Sequence, residues 1–116
     1  MKQMPRLRIP ADVRRRVVDR FKGRCGYCGD SPQRLQVDHV QPFEYGGTND
    51  ESNLMPACFG CNNHKMSWGL EEFRRELAQQ VERGRKYSLN FRMAEKFGLI
   101  QVTPKPVVFF FERKSP

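Results

Sequence analysis

No apolar run in the chain approaches the roughly 18 residues that a helix needs to cross a bilayer, which argues against a membrane-spanning helix. The basic start, MKQMPRLRIPADVRRR, has no hydrophobic stretch behind it, so no secretory signal is expected. Hydrophobic residues make up only 38% of 116, enough for one domain with a modest core that needs an extra clamp. Acidic side chains are scarce beside basic ones, 13 against 21, and the net charge of +8 points to a polyanionic partner. Nucleic acid leads over an acidic membrane surface, and a merely soluble basic surface is the plain alternative. Internal repeats, low-complexity tracts and an inter-domain linker are all missing. So is any attached recognition module such as a helix-turn-helix or a finger array, so weak sequence specificity is expected on a nucleic acid.

Cysteine is rare, and its arrangement is informative. The four are Cys25, Cys28, Cys58 and Cys61, two C-x2-C pairs separated by residues 29–57. Two intervening residues let both thiolates of a pair turn toward one ion, and a second pair completes a tetrahedron. Sulfur-only ligation suits zinc, and a closed four-ligand shell leaves no position for substrate, so this zinc is structural. Two disulfides or an iron–sulfur site are the alternatives. C-x-x-C pairs without a secretion signal weigh toward metal and a reducing, cytoplasmic compartment.

Residues 1–10 read as a basic, proline-punctuated and loosely held arm, and 11–116 as a single domain. Pro10 and Asp12 open a helix over ADVRRRVVDRF, where Val13, Val17 and Phe21 form an apolar stripe. Arg14, Arg15, Arg16 and Arg20 fall mostly on its other faces, solvated or gripping phosphates. Residues 35–40, LQVDHV, predict a short strand with Leu35, Val37 and His39 on one side. Residues 53–57 predict a second strand, limited by Pro56. Pro42 and Gly46-Gly47-Thr48-Asn49-Asp50 mark the loop between them. A helix is expected from near Asn62, either running on past Trp68 or breaking at Gly69 before a second one. Leu70, Phe73, Leu77 and Val81 step along a further one that ends at Gly84, and Leu89, Met93 and Phe97 along another stopped by Gly98. The closing PVVFFFER predicts a strand buried on both faces, its phenylalanines serving as core.

Within residues 21–66 stand Asp38-His39, Pro42, Gly46-Gly47, Asn53-Leu54 and a C-x-x-C-N-x-x-K run ending at Lys65. In this order and spacing they resemble the HNH endonuclease family. The resemblance implies an α+β chain. Its core would be a zinc-stabilised, treble-clef-like ββα-metal unit over 21–66, extended by helices and the C-terminal strand over 67–116. It implies that His39 is the general base that activates water, and that Asp38 and Asn62 are protein ligands of a catalytic metal. Asn53 is then the middle asparagine that holds the loop so that His39 is oriented. Asn62 stands where many members have the final histidine. Lys65 matches the family's terminal basic position and is expected as a phosphate contact, with a solvated lysine as the alternative. His64 is an accessory phosphate contact or a bystander. The resemblance further implies a DNA substrate met through the minor groove, and a chain of bacterial or phage origin. RNA cleavage, a homodimer and a larger protein partner are left open.

The residue chemistry agrees with that reading. A neutral histidine near its usual pKa of about 6.5 accepts a proton from water at physiological pH. A divalent cation on oxygen ligands neutralises the phosphate and the departing 3′ oxygen, and the oxygens of Asp38 and Asn62 favour Mg²⁺ or Mn²⁺. A single such centre cuts one strand per event, so nicking is expected. One feature runs against the arrangement: neighbours on a regular strand face opposite sides, so Asp38 and His39 need a local distortion to meet one phosphate. The alternative function is a non-catalytic, zinc-stabilised nucleic-acid-binding module, and a zinc-stabilised protein-interaction domain is a third. The presence of Asp38, His39 and Asn62 together weighs against the binding module, and the protein-interaction domain would show no nucleic-acid affinity at physiological salt.

Overall fold

A computed structural model describes residues 8–113. Helix α1, Ala11–Arg20, begins after an extended Pro10 whose carbonyl accepts from Arg14 N, with Asp12 in its first turn and Arg20 in its last. Val17, fully buried on this helix, packs with Ile9 and Leu54, and Val13 and Val37 close the cluster. Ile9 is thus part of the core, and the arm expected to be loose is anchored at this point; residues 1–7 lie outside the described residues.

Strands β1 (Gln36–His39) and β2 (Leu54–Ala57) pair antiparallel, with Asp38 opposite Met55 and His39 opposite Leu54. Both are shorter than the apolar pattern suggests. β2 is buried throughout, and its Pro56 carbonyl accepts from Gly26 N at 2.8 Å, which docks the first cysteine turn on the sheet. The connection between the strands contains two single 3-10 turns, Phe43–Tyr45 and Glu51–Asn53. Gly46 turns the chain at φ +91°, and a Cβ on Gly47 would lie 1.8 Å from the Gln41 carbonyl oxygen, so only glycine fits there.

Helix α2, Phe59–Lys65, starts three residues earlier than Asn62, because the Cys58 sulfur caps it by accepting from Cys61 N at 3.3 Å. The described chain forms two compact units, one built from residues up to 70 together with 108 onward, the other from 71–107.

Around and within residues 71–107, the expected long helix is divided. α3 (Leu70–Ala78) ends one residue before Gln79, and α4 (Gln80–Tyr87) follows. Gly84 does not end a helix; it lies inside α4, where a Cβ would meet the Phe91 ring at 3.0 Å, so its missing side chain lets α5 (Leu89–Lys96) pack closely. Ser88 caps α5 by accepting from Phe91 N, Gly98 follows it at φ +72°, and Arg85 pairs with Glu95 at 2.7 Å across the hairpin.

The C-terminal strand is absent. Phe110 N donates to the Tyr27 carbonyl at 2.9 Å and Phe111 N to the Gly26 carbonyl at 2.8 Å. Their donors go to the cysteine turn, not to a sheet edge, and Phe110–Glu112 forms a 3-10 turn. The phenylalanines do serve as packing: Phe109 and Phe111 stack with centroids 6.0 Å apart and both meet Tyr27 edge-on. Among the described residues no helix is long and apolar enough to cross a membrane.

Candidate active site

The four cysteine sulfurs lie within 4.8 Å of one another, and Cys28 Sγ and Cys58 Sγ are 3.8 Å apart. Four sulfurs at about 2.3 Å from a central zinc sit about 3.8 Å apart at the corners of a tetrahedron, so the cluster fits a structural zinc. The hydrogen bond shared by two of the thiols lowers the pKa of Cys25 and raises that of Cys61. Zinc binding requires the thiols to lose their protons. The cluster joins the turn around Cys25 and Cys28 to the start of α2, beside β2.

Asp38 is built into a polar contact set that the sequence did not disclose. Its Oδ2 accepts from the Tyr27 hydroxyl at 2.7 Å and lies 3.0 Å from Lys65 Nζ. Burial, with the negative charge of Asp38 beside it, pushes the Tyr27 pKa up, so the phenol stays protonated and donates. Lys65 is fully buried and also donates to the His39 carbonyl at 2.9 Å. The expected phosphate contact at Lys65 is therefore corrected: its ammonium is turned inward and ties α2 to the end of β1. Both contacts on Asp38 fall on Oδ2, which leaves Oδ1 the oxygen with ligand capacity.

His39 closes β1 and is buried. Nε2 lies 2.6 Å from Asn49 Oδ1. Asn53 staples the loop that carries Asn49. Its Oδ1 accepts from Gln41 N at 2.9 Å, and its Nδ2 donates to the carbonyls of Gln41 (3.1 Å) and Thr48 (2.8 Å). Asn53→Ala removes all three bonds, and we expect it to cost about 1–3 kcal/mol. Hydrogen exchange should show protection lost at the Gln41 amide while β2 keeps its own; unchanged protection at Gln41 would count against the staple.

Asn62, one residue beyond Cys61 on α2, donates through Nδ2 to Gln36 Oε1, which leaves its carbonyl oxygen available. Asp38, His39 and Asn62 all line one open cleft of about 440 Å³, with Arg8, Arg14, Pro42 and Ser67 among the other walls. The two strand neighbours, the last residues of β1, both line it. His64 is not among the lining residues and meets the Trp68 ring edge-on at 6.3 Å. Of the helix arginines, Arg16 is held by Asp12 and Glu51, and Arg20 by the Leu54 carbonyl; Arg14 donates to the Ile9 carbonyl at 3.3 Å and lines the cleft.

Sequence reasoning missed Tyr27, Asn49 and Arg8. Tyr27 carried a signal, since a tyrosine inside a C-x-x-C turn is drawn into the interior and its hydroxyl needs a partner. Asn49 stood in the marked loop without a distinguishing feature.

A unit of two antiparallel strands and a helix beside a four-cysteine cluster that fits zinc, with an aspartate, a histidine and an asparagine lining one cleft, defines the class. The family model described as HNH endonuclease matches residues 25–67, and this stretch of the chain is an HNH-family domain. Over 65 residues the chain is 34% identical to the "SPbeta prophage-derived putative HNH endonuclease YoqL" of Bacillus subtilis (strain 168). That alignment covers 47% of this chain and 28% of the relative, so the chain spans under a third of that protein's length. The family uses a divalent metal, and the donor set here fits one: a carboxylate oxygen of Asp38 and an amide oxygen of Asn62 are hard ligands, and both residues line the open cleft.

Proposed function

We propose that residues 25–67 form the active site of a metal-dependent DNA endonuclease, with His39 as general base and Asp38 and Asn62 as holders of the catalytic cation, Mg²⁺ or Mn²⁺. The observation that carries this reading is the convergence of those three side chains on one cleft whose rim also bears Arg8 and Arg14. A bound divalent cation supplies charge neutralisation at the phosphate and at the leaving 3′ oxygen. The remaining work belongs to the chain. His39 accepts the proton of a water molecule as the water oxygen forms its bond to phosphorus and the bond to the 3′ oxygen breaks. Asn53 keeps the loop beside His39 in place, and Tyr27 and Lys65 hold Asp38 in a fixed orientation. Arg8 and Arg14 draw the DNA backbone toward the cleft, an attraction that weakens as salt rises and carries no sequence information.

One centre cuts one strand, so the expected product is a nick, and double-strand cutting calls for a second copy. In a plasmid assay with the zinc-loaded chain and Mg²⁺ or Mn²⁺, His39→Ala is expected to lower the nicking rate by about 10²–10⁴-fold. Zinc content and far-UV spectrum should stay unchanged. Equal cutting by the variant would remove His39 from the role of base.

A further inference from the structure

A histidine serves as a base only through a nitrogen that carries a lone pair, and the ring has two candidates. Nε2 of His39 is 2.6 Å from Asn49 Oδ1. A side-chain amide oxygen only accepts hydrogen bonds, so Nε2 must donate. A neutral imidazole carries one N–H, which leaves Nδ1 unprotonated. No described residue hydrogen-bonds Nδ1, and His39 lines the cleft.

We propose that Asn49 is a positioning residue that fixes His39 as the Nε2–H tautomer and presents Nδ1 as the basic nitrogen to the attacking water. This rests on the nuclease reading for its purpose, though not for its geometry. When Nδ1 takes the proton of water, the ring becomes doubly protonated, and the Asn49 oxygen still accepts from Nε2–H. The carboxamide can hold this position because its own chain segment is held. Asn53 Nδ2 bonds the Thr48 carbonyl, the peptide group that leads into Asn49, and the Thr48 hydroxyl accepts from Asp50 N at 3.3 Å. The loop staple at Asn53 thus acts on His39 through Asn49.

The chain has two histidines, His39 and His64, so the imidazole nitrogens are readily assigned by ¹⁵N spectroscopy on the zinc-loaded protein. In the wild type the proton is expected on Nε2 of His39, as a slowly exchanging N–H. Asn49→Ala should lose that signal to exchange and lower kcat for plasmid nicking about 10- to 100-fold. KM and zinc content should be unchanged. Asn49→Asp keeps the acceptor oxygen, and should keep the Nε2–H signal and restore most of the rate. A proton on Nδ1 in the wild type would overturn the proposal, as would an Asn49→Ala protein that cuts at the wild-type rate. The wild-type spectrum decides the tautomer even where Asn49→Ala does not fold or the chain does not cut. Failure of the nuclease reading and failure of this one are therefore told apart.

Discussion

Stripping zinc from the cluster of Cys25, Cys28, Cys58 and Cys61 is expected to unfold the strand–strand–helix core and not merely to slow it. A structural zinc in a small domain contributes about 10–16 kcal/mol of apparent binding free energy, whereas a whole domain is stable by about 5–15 kcal/mol. The core here has little to set against that loss. Its sheet has two strands of four residues each, and α2 has seven residues. An isolated helix of that length is not stable in water, and neither is a lone two-stranded sheet. The cysteine cluster joins the turn at Cys25 and Cys28 to the N-terminus of α2. On addition of a zinc chelator, amide protection in Gln36–His39 and Leu54–Ala57 should disappear, and it should return with one equivalent of zinc. Acid should do the same, because only deprotonated thiols hold the ion and protons compete for them as pH falls. Protection that survives stoichiometric loss of zinc would show that the core stands without its clamp.

The second large effect is expected from Lys65→Met. The ammonium is fully buried, 3.0 Å from Asp38 Oδ2 and 2.9 Å from the His39 carbonyl oxygen. Methionine matches the stem of lysine but removes the charge, and leaves the Asp38 carboxylate, itself only 10% exposed, without its cation. Removing one partner of a buried ion pair costs about 3–5 kcal/mol, because the remaining charge has lost its water and now its counter-charge. The cost falls mainly on the uncompensated carboxylate, so adding Asp38→Asn to Lys65→Met should recover part of the stability, a non-additivity expected for residues in contact. Denaturant unfolding of the zinc-loaded proteins measures both. A loss below about 1 kcal/mol would place Lys65 among ordinary surface lysines and remove it as the link between α2 and β1.

The features legible in the sequence were those carried by local spacing. The two C-x2-C pairs predicted a sulfur cluster, and the four sulfurs do converge. The alternation in QVDH and the run at LMPA placed the two strands, and Gly46-Gly47 the loop between them. The rest depended on contacts between residues far apart in the chain. Lys65 looks like a surface cation in sequence because nothing nearby shows that Asp38 and the His39 carbonyl wait 26 or more positions earlier. PVVFFFER has the composition of a strand, and only the docking of Phe110 and Phe111 on the backbone of Tyr27 and Gly26 reveals where its N–H groups go. Gly84 reads as a helix stop, since a glycine that ends a helix and one that admits a neighbouring ring look alike in one dimension. The meeting of Asp38 and His39 on one cleft was not legible either, since regular alternation sends strand neighbours to opposite faces.

The most direct measurement is the conversion of supercoiled plasmid by the zinc-loaded wild-type chain, freed of other metal, with and without added Mg²⁺ or Mn²⁺. An endonuclease site at Asp38, His39 and Asn62 predicts nicked circles that accumulate with time only when the divalent ion is present. Plasmid that is retained by the protein at low salt, released at high salt and never nicked with either ion would contradict it, and would make this chain a binding module on a nuclease scaffold.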